Sequence, residues 1–217
     1  MAETNKSGIK LPKQFWMIIL ANSRWDAGGG GNSAQQYARA MSKRNIPYLF
    51  VKPSDAGKAC WFIRNGGVSF ARPTVFCSLP TPNYFEICRY LKKQGCRIIY
   101  RIVDRWDSMP YNYWYDIRRE RSLIELADIC YASSTALARR FAKIRADIKI
   151  LLNAVDIDRF CKRPLRRPAD LKLGVITIGF WGSFWQEWFD WLLIKTAAAK
   201  RPNWYFNLIG GDPQRIG

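Results

Sequence analysis

An apolar run followed by a glycine turn and an amphipathic helix constrains this chain most. Residues 15–21 read FWMIILA, which is typical of a strand covered on both faces of a parallel sheet. Four consecutive glycines follow at 28–31, and residues 33–44 carry apolar side chains at helical spacing. A second short apolar run at 48–51 completes one βαβ unit. We therefore predict an α/β fold with a doubly wound, Rossmann-like parallel sheet.

The alternation of strands and helices continues to residue 152. The pattern predicts strands at 75–78, 97–103, 128–132 and 149–152 and helices at 83–94, 114–126 and 135–143. Residues 161–174 are basic and contain two prolines, which indicates a linker. A new alternation then predicts a strand at 175–180, a turn with Gly179 and Gly182, a helix at 187–199 and a strand at 204–209.

These patterns define four segments. They are a loose basic tail at 1–13, an N-terminal Rossmann-like domain at 14–160, a linker at 161–174 and the start of a second Rossmann-like domain at 175–217. One βαβ unit cannot close a core by itself, so we expect the second domain to be incomplete in this chain. We also predict that its aromatic stretch forms core and domain interface, because large aromatics at this spacing usually pack inward; the alternative is a platform that stacks on sugars. The stretch consists of Trp181, Trp185, Trp188, Phe189 and Leu192.

Composition excludes several kinds of site. The chain has no histidine, which removes Ser-His and Cys-His nucleophiles and the commonest zinc ligand. Its six cysteines form no C-x-x-C pair, so we predict no metal site and buried free thiols in a reducing compartment. The apolar run at 15–21 is much shorter than the about 20 residues that span a bilayer. We therefore expect a cytoplasmic protein.

A formal net charge of +18 is spread along the chain and not confined to a tail. Such an excess favours an anionic partner, whether a phosphorylated ligand, an acidic membrane surface or a nucleic acid. The alternative is a solvated basic surface without a specific partner, since charge alone identifies none.

Four segments, in this order, resemble GT-B glycosyltransferases of the family-4-like group. The first is the strand, glycine turn and helix at 15–44, and the second is YRIVDRWDSMP at 100–110. The third runs from 120 to 160 and contains the tetrapeptide NAVD, with Ala154 where the family has glycine. The fourth comprises IGFWGSF at 178–184 and YFNLIGG at 205–211.

The resemblance implies an enzyme that moves a sugar from a nucleotide-sugar donor to an acceptor hydroxyl. The donor would bind in the cleft between two Rossmann-like domains, and the acceptor would be a carbohydrate or a lipid-linked molecule. The family's donor-ribose motif lies beyond residue 217, so the chain alone is expected to be inactive. The resemblance implies no cofactor or metal, no specific nucleic acid, and room for peripheral contact with an anionic inner membrane face.

The resemblance also implies roles for particular residues. Two glycine turns would bind the donor phosphates, namely Gly28, Gly29, Gly30, Gly31 and Asn32 in the first domain and Gly179, Gly182 and Ser183 in the second. Asp104 follows an apolar strand and is the candidate catalytic carboxylate, with Asp107 and Arg105 as acceptor-binding residues. Asn153 and Asp156 would shape the interdomain loop.

Each assignment has a structural alternative. The glycines are also compatible with a tight turn that only connects a strand to a helix. The two aspartates are also compatible with a helix cap or with ion pairs to Arg101 or Arg105.

Two other functions are alternatives to sugar transfer. An NAD(P)-dependent oxidoreductase would carry G-x-G-x-x-G and an acidic residue after the second strand, whereas Ser33 replaces the last glycine and Lys52 follows Val51. The non-enzyme alternative is a basic nucleic-acid-binding module or a non-catalytic Rossmann-like module, and the charge and the many aromatic residues favour the nucleic-acid-binding module. The cations are dispersed, however, and no nucleic-acid-binding motif is present.

We predict that Gly30→Val, in an intact enzyme containing this chain, lowers kcat/KM by about 100-fold, or roughly 2.7 kcal/mol of transition-state stabilisation. A side chain there would keep the backbone N–H groups from a phosphate. Kinetics and thermal melting should be measured together, because a merely structural glycine would instead lower stability by about 1–3 kcal/mol through backbone strain. A folded variant with near-normal kinetics contradicts the prediction.

Overall fold

A computed structural model of the chain describes residues 16–21, 33–65, 72–108, 113–154, 157, 161, 172, 174–182, 184 and 189–211. The chain divides into two compact units, Met1–Ala154 and Val155–Gly217. The expected N-terminal tail, the first glycine turn and most of the expected linker lie outside the described residues.

The described part of unit 1 is built on a six-stranded sheet in which every neighbouring pair is parallel. The strands are Met17–Leu20 (β1), Tyr48–Val51 (β2), Thr74–Cys77 (β3), Ile98–Ile102 (β4), Ile129–Ala132 (β5) and Lys149–Ile150 (β6). Their order across the sheet is β2-β1-β3-β4-β5-β6. In register, Leu20 pairs with both Val51 and Cys77. The predicted parallel α/β architecture is therefore confirmed.

Helices cover both faces of this sheet. They are Ser33–Lys43 (α1), Ala56–Arg64 (α2), Pro82–Lys93 (α3), Ile117–Leu126 (α4) and Thr135–Phe141 (α5). On one face, Ala34 and Ala38 of α1 pack with Ile19 and Phe76. On the other face, residues of α2 to α5 share a larger core with alternate strand residues, for example Ile18 and Tyr100. The continuously apolar strands follow from this two-sided burial.

Side-chain caps fix where three of these helices begin. The side chains of Thr81, Asp116 and Ser134 accept hydrogen bonds from backbone N–H groups of the first turns of α3, α4 and α5. Each cap satisfies an N–H group that has no partner inside the helix. The far end of α3 is followed by Gly95 at φ +80°, a left-handed conformation that glycine adopts without strain.

The described part of unit 2 is one βαβ element. Strands Thr177–Trp181 (β7) and Tyr205–Ile209 (β8) pair in parallel, with helix Trp191–Lys200 (α6) between them in the chain. Phe180, Phe184 and Phe189 form an aromatic cluster with ring centroids 4.6–5.6 Å apart. A Cβ on Gly210 would lie 1.7 Å from the carbonyl oxygen of Gly182, so this close backbone approach requires glycine.

The described part of unit 2 differs from two predictions. The helix expected at 187–199 begins at Trp191, because Asp190 caps it by accepting from the N–H of Leu193 at 2.8 Å. Trp181 ends a strand, and it and Leu192 are 74% and 75% exposed, so neither belongs to a core within the described residues; their place in a domain interface stays a prediction. Phe189 is buried as predicted, while Trp185 and Trp188 lie outside the described residues.

Smaller corrections concern unit 1. The strand predicted at 149–152 is reduced to two residues, and the helix predicted from 114 begins at Ile117 behind its cap. Helix α2 was not predicted, since Gly57 and the exposed Trp61 obscure its amphipathic pattern.

Two further predictions concern the burial of the cysteines and the presence of membrane-spanning helices. Cys77, Cys88, Cys96 and Cys130 are buried, as predicted, whereas Cys161 is exposed and that prediction was wrong. Among the helices that the structure describes, none has the length and apolar character needed to cross a bilayer.

Tyr84 joins the ends of the first two strands. Its side chain is completely buried, and its hydroxyl lies 2.9 Å from the Ala21 carbonyl oxygen and 2.8 Å from that of Val51. Burial raises the pKa of Tyr84, so the hydroxyl stays protonated and donates across the physiological range.

We predict that Tyr84→Phe lowers the free energy of unfolding by about 1–2 kcal/mol, since it leaves buried carbonyl groups without this donor. The matched control is Tyr48→Phe, which removes an exposed 2.9 Å contact to Ser42 and should cost less than about 0.5 kcal/mol. Urea denaturation of both variants measures the difference, and equal losses would contradict the role of Tyr84.

Candidate functional site

A cavity of about 750 Å³ lies at the carboxyl ends of β4 and β5. Parallel pairing brings both ends to one edge of the sheet, because Ile102 is in register with Ala132. The polar lining residues are Asp104, Arg105, Ser133, Ser134, Arg140 and Asn153. Ligands of open α/β sheets bind at this edge, so the cavity is the candidate functional site of unit 1.

Several predicted site residues meet at this cavity, and others do not. Asp104, Arg105 and Asn153 line it. Ser133, Ser134 and Arg140 were not predicted from the sequence. Asp107 is described but does not line the cavity. The other first-domain candidates, Gly28, Gly29, Gly30, Gly31, Asn32 and Asp156, lie outside the described residues, as does Ser183 in unit 2.

The second predicted phosphate turn differs from expectation. Gly179 lies inside β7 and not in the turn, so that prediction was wrong. Gly182 follows the strand directly, but α6 begins only at Trp191, so Gly182 is not at a helix N-terminus. A phosphate-binding role of either glycine remains a prediction.

Both serines stabilise the edge where the cavity forms. The Ser133 hydroxyl donates to the Val103 carbonyl at 2.8 Å, and the Ser133 N–H donates to the Ile102 carbonyl at 2.9 Å. The Ser134 hydroxyl oxygen accepts from the N–H of Leu137 at 3.3 Å. These bonds hold the ends of β4 and β5 together and fix the start of α5.

Asp104 is the lining carboxylate with a raised pKa. Partial desolvation at the cavity raises the pKa of Asp104, and the positive charge of Arg101 opposes part of that rise. A carboxylate of higher pKa is a stronger base, which suits Asp104 to accept a proton from a bound hydroxyl.

Asp107 is engaged by two arginines. Its Oδ2 lies 2.9 Å from Nη2 of Arg140 and 3.4 Å from Nη2 of Arg105. Desolvation acts to raise the pKa of Asp107, but the hydrogen bonds from Arg140 and Arg105 outweigh it and the pKa is lowered. The ion pair with Arg105 is the structural alternative that we gave for Asp107 in place of acceptor binding. Through its two ion pairs, Asp107 orients the guanidinium groups of Arg105 and Arg140.

Arg101 is a buried cation that the sequence analysis did not select as a site residue. Its side chain is 1% exposed. Nη1 donates to the Ser33 hydroxyl oxygen at 2.7 Å, and Nη2 donates to the Leu151 carbonyl at 3.1 Å and to Asn153 Oδ1 at 2.6 Å. Among the described residues, its Nε has no hydrogen-bond partner. The signal in the sequence is a single charge within the apolar strand IIYRI.

Glu120 of α4 is a second buried charge near the cavity. It is 2% exposed, and its two carboxylate oxygens accept from the hydroxyls of Tyr100 at 2.8 Å and Tyr115 at 2.7 Å. Burial raises the pKa of Glu120, while the two tyrosine hydrogen bonds act to lower it. Because it does not line the cavity, we assign Glu120 a structural role that ties α4 to β4.

Comparison with models of known protein families and with curated proteins gave no match to this chain. Within the described residues, no group of three or more Cys, Asp or Glu side chains is arranged to hold a metal ion.

We predict that Glu120→Gln gains stability relative to the unmodified chain as pH rises from about 4 to 8. The folded pKa of Glu120 exceeds its unfolded pKa, so folding takes up protons in this window. The contribution of Glu120 to stability is therefore fully present below the unfolded pKa and is lost as pH rises through the folded pKa. Glutamine cannot ionise, so the variant lacks this loss.

Urea denaturation at several pH values measures this difference. The control is Glu125→Gln, an exposed change on the same helix, and the profile of Glu120→Gln is compared with it. If the stability difference between Glu120→Gln and the unmodified chain does not change with pH, burial does not raise the pKa of Glu120 and the prediction fails.

Proposed function

We propose that this chain is the acceptor-side domain, with the start of the donor-binding domain, of a GT-B glycosyltransferase. One observation carries the proposal. Asp104 and Arg105 come from one segment that resembles this family and Asn153 comes from another, and all three line a single cavity at the carboxyl edge of the sheet. That edge is where α/β folds bind ligands.

In this proposal the cavity holds the acceptor. A carbohydrate offers hydroxyls that both donate and accept hydrogen bonds, and the lining offers carboxylate, guanidinium and amide groups to match them. Asp104 removes the proton of the attacking hydroxyl as it bonds to the anomeric carbon, and the nucleoside diphosphate leaves with the electron pair of the broken bond. Arg105 and Arg140, held by Asp107, orient the acceptor.

The donor half of the proposal rests on the first glycine turn. Gly28 to Gly31 and Asn32 would bring backbone N–H groups to the donor phosphates. No metal or cofactor enters this proposal.

Unit 2 supports the proposal that the donor domain contains further elements. Trp181, Leu192 and Leu193 are 74%, 75% and 62% exposed, and additional βα units of the intact enzyme would cover such surfaces. The net charge of +18 also supports peripheral contact with an anionic membrane that carries a lipid-linked acceptor.

The proposal is tested by expressing the open reading frame that contains this chain and following nucleotide release. The enzyme is supplied with UDP-, GDP-, dTDP- and CMP-sugars, each with carbohydrate and lipid-linked acceptors. Acceptor-dependent release of a nucleotide supports it. Absence of turnover across all donors, in a folded protein extended beyond residue 217, would reject it.

We predict that Asp104→Asn in the active enzyme lowers kcat by about 100-fold or more, because the amide cannot accept the acceptor proton. In the unmodified enzyme, kcat should fall as pH drops through the raised pKa of Asp104, because the protonated acid is no longer a base. This acid limb should vanish in the variant.

The matched control is Glu86→Gln, which removes a carboxylate from an exposed ion pair with Arg89 and should leave kcat and its pH profile unchanged. An unaltered acid limb in Asp104→Asn would assign the proton transfer to another group.

A further inference from the structure

Two guanidinium groups lie together on the wall of the cavity at the ends of β4 and β5. Arg105 comes from the segment after β4 and Arg140 comes from α5, and both line the cavity. One atom, Oδ2 of Asp107, lies 2.9 Å from Nη2 of Arg140 and 3.4 Å from Nη2 of Arg105. Because both cations contact this atom, their Nη2 atoms lie within two hydrogen-bond lengths of each other. The wall therefore presents a pair of neighbouring cations.

The carboxylate that holds this pair is outside the cavity. Asp107 contacts both arginines but does not line the cavity. It offsets part of the field of the pair, and the buried charges of Arg101 and Glu120, which are of opposite sign, are outside the lining as well. Asp104 is the one carboxylate among the lining residues. The groups that a ligand would contact thus carry two positive charges and one negative charge, which favours a ligand group with a single negative charge.

The two arginines keep most of their hydrogen-bond donors for a ligand. A guanidinium carries five N–H donors and no acceptor. In each arginine the contact with Asp107 uses Nη2, and the described residues offer no hydrogen-bond partner to Nε or Nη1. The side chains of Arg105 and Arg140 are 61% and 26% exposed, so these donors are accessible. A planar carboxylate accepts two parallel hydrogen bonds from such a fork.

We infer that Arg105 and Arg140 form a subsite for a carboxylate group of the acceptor, which is therefore a sugar acid of the uronic acid class. The inference rests on the proposed function only in calling the bound molecule an acceptor. The arginines determine specificity because they contact the carboxylate, and Asp107 is a positioning residue that holds them together. Asp104, in the same lining, is left to accept the proton of a hydroxyl group.

The first test compares charged and neutral ligands of similar shape on the full chain. Methyl glucuronide and methyl galacturonide carry the carboxylate, methyl glucoside and methyl galactoside are their neutral counterparts, and glucose 6-phosphate carries a phosphate at the same carbon. NMR titration at physiological ionic strength measures the affinities. At least one uronide should bind about 10-fold more tightly than its neutral counterpart. Equal affinities within both pairs, no binding of either uronide, or tighter binding of the phosphate would overturn the inference.

The second test removes one cation of the pair. Arg140→Gln should weaken uronide binding by about 10-fold or more and leave binding of the neutral glycoside unchanged. The matched control is Arg139→Gln, which removes a cation from the same helix outside the lining and should leave uronide binding unchanged. If the ion pairs only tie the segment after β4 to α5, a folded Arg140→Gln binds the uronide normally. That result, or an equal loss in both variants, would overturn the inference.

Arg105→Gln tests the subsite from the other element and stays decisive if Arg140→Gln fails to fold. It should cause a similar loss, and unchanged uronide binding in this folded variant would contradict the pairing of the two arginines. These titrations use no donor, so uronide binding without any sugar transfer would support the subsite and reject the proposed function. In an active enzyme, equal kcat/KM for an acidic acceptor and its neutral counterpart would overturn the inference and leave the proposed function intact.

Discussion

The buried guanidinium of Arg101 connects parts of unit 1 that the parallel sheet alone would not connect. Strand pairing fixes β4 between β3 and β5, but it places no constraint on the start of α1 or on the loop after β6. Arg101 hydrogen-bonds both, through Ser33 and through Leu151 and Asn153. Arg101 is shielded from water, so the loss of any of these hydrogen bonds would leave a buried donor without a partner. The bonds therefore hold together the start of α1, strand β4 and the loop after β6.

The direction of the strands then determines the chemistry of the site. In a parallel sheet every carboxyl end lies at the same edge, so residues that follow β4 and β5 become neighbours although about thirty positions separate them in the chain. Asp104, Arg105 and Ser133 meet for this reason. Arg140 joins them because α5 begins immediately after β5, at the Ser134 cap, and is only seven residues long.

The parts of this structure that the sequence predicted are those governed by local rules. Strand β2 was predicted at its observed bounds, and α3 within a residue of its ends, because Thr81 and Gly95 mark the helix termini chemically. The carboxyl-edge position of Asp104 followed from strand direction. In contrast, the prediction of a turn at Gly179 was wrong, because the strand continues to Trp181. No local preference of glycine indicates that continuation.

The hydrogen-bond partners of buried charged residues could not be predicted from local rules. Glu120 and Tyr100 are twenty positions apart, and Arg101 and Ser33 are sixty-eight positions apart, so their pairing depends on the completed fold. A charged residue within an apolar pattern signals only that some compensation exists. For Arg101 three hydrogen bonds supply that compensation and Nε has no partner among the described residues, an arrangement that sequence periodicity does not reveal.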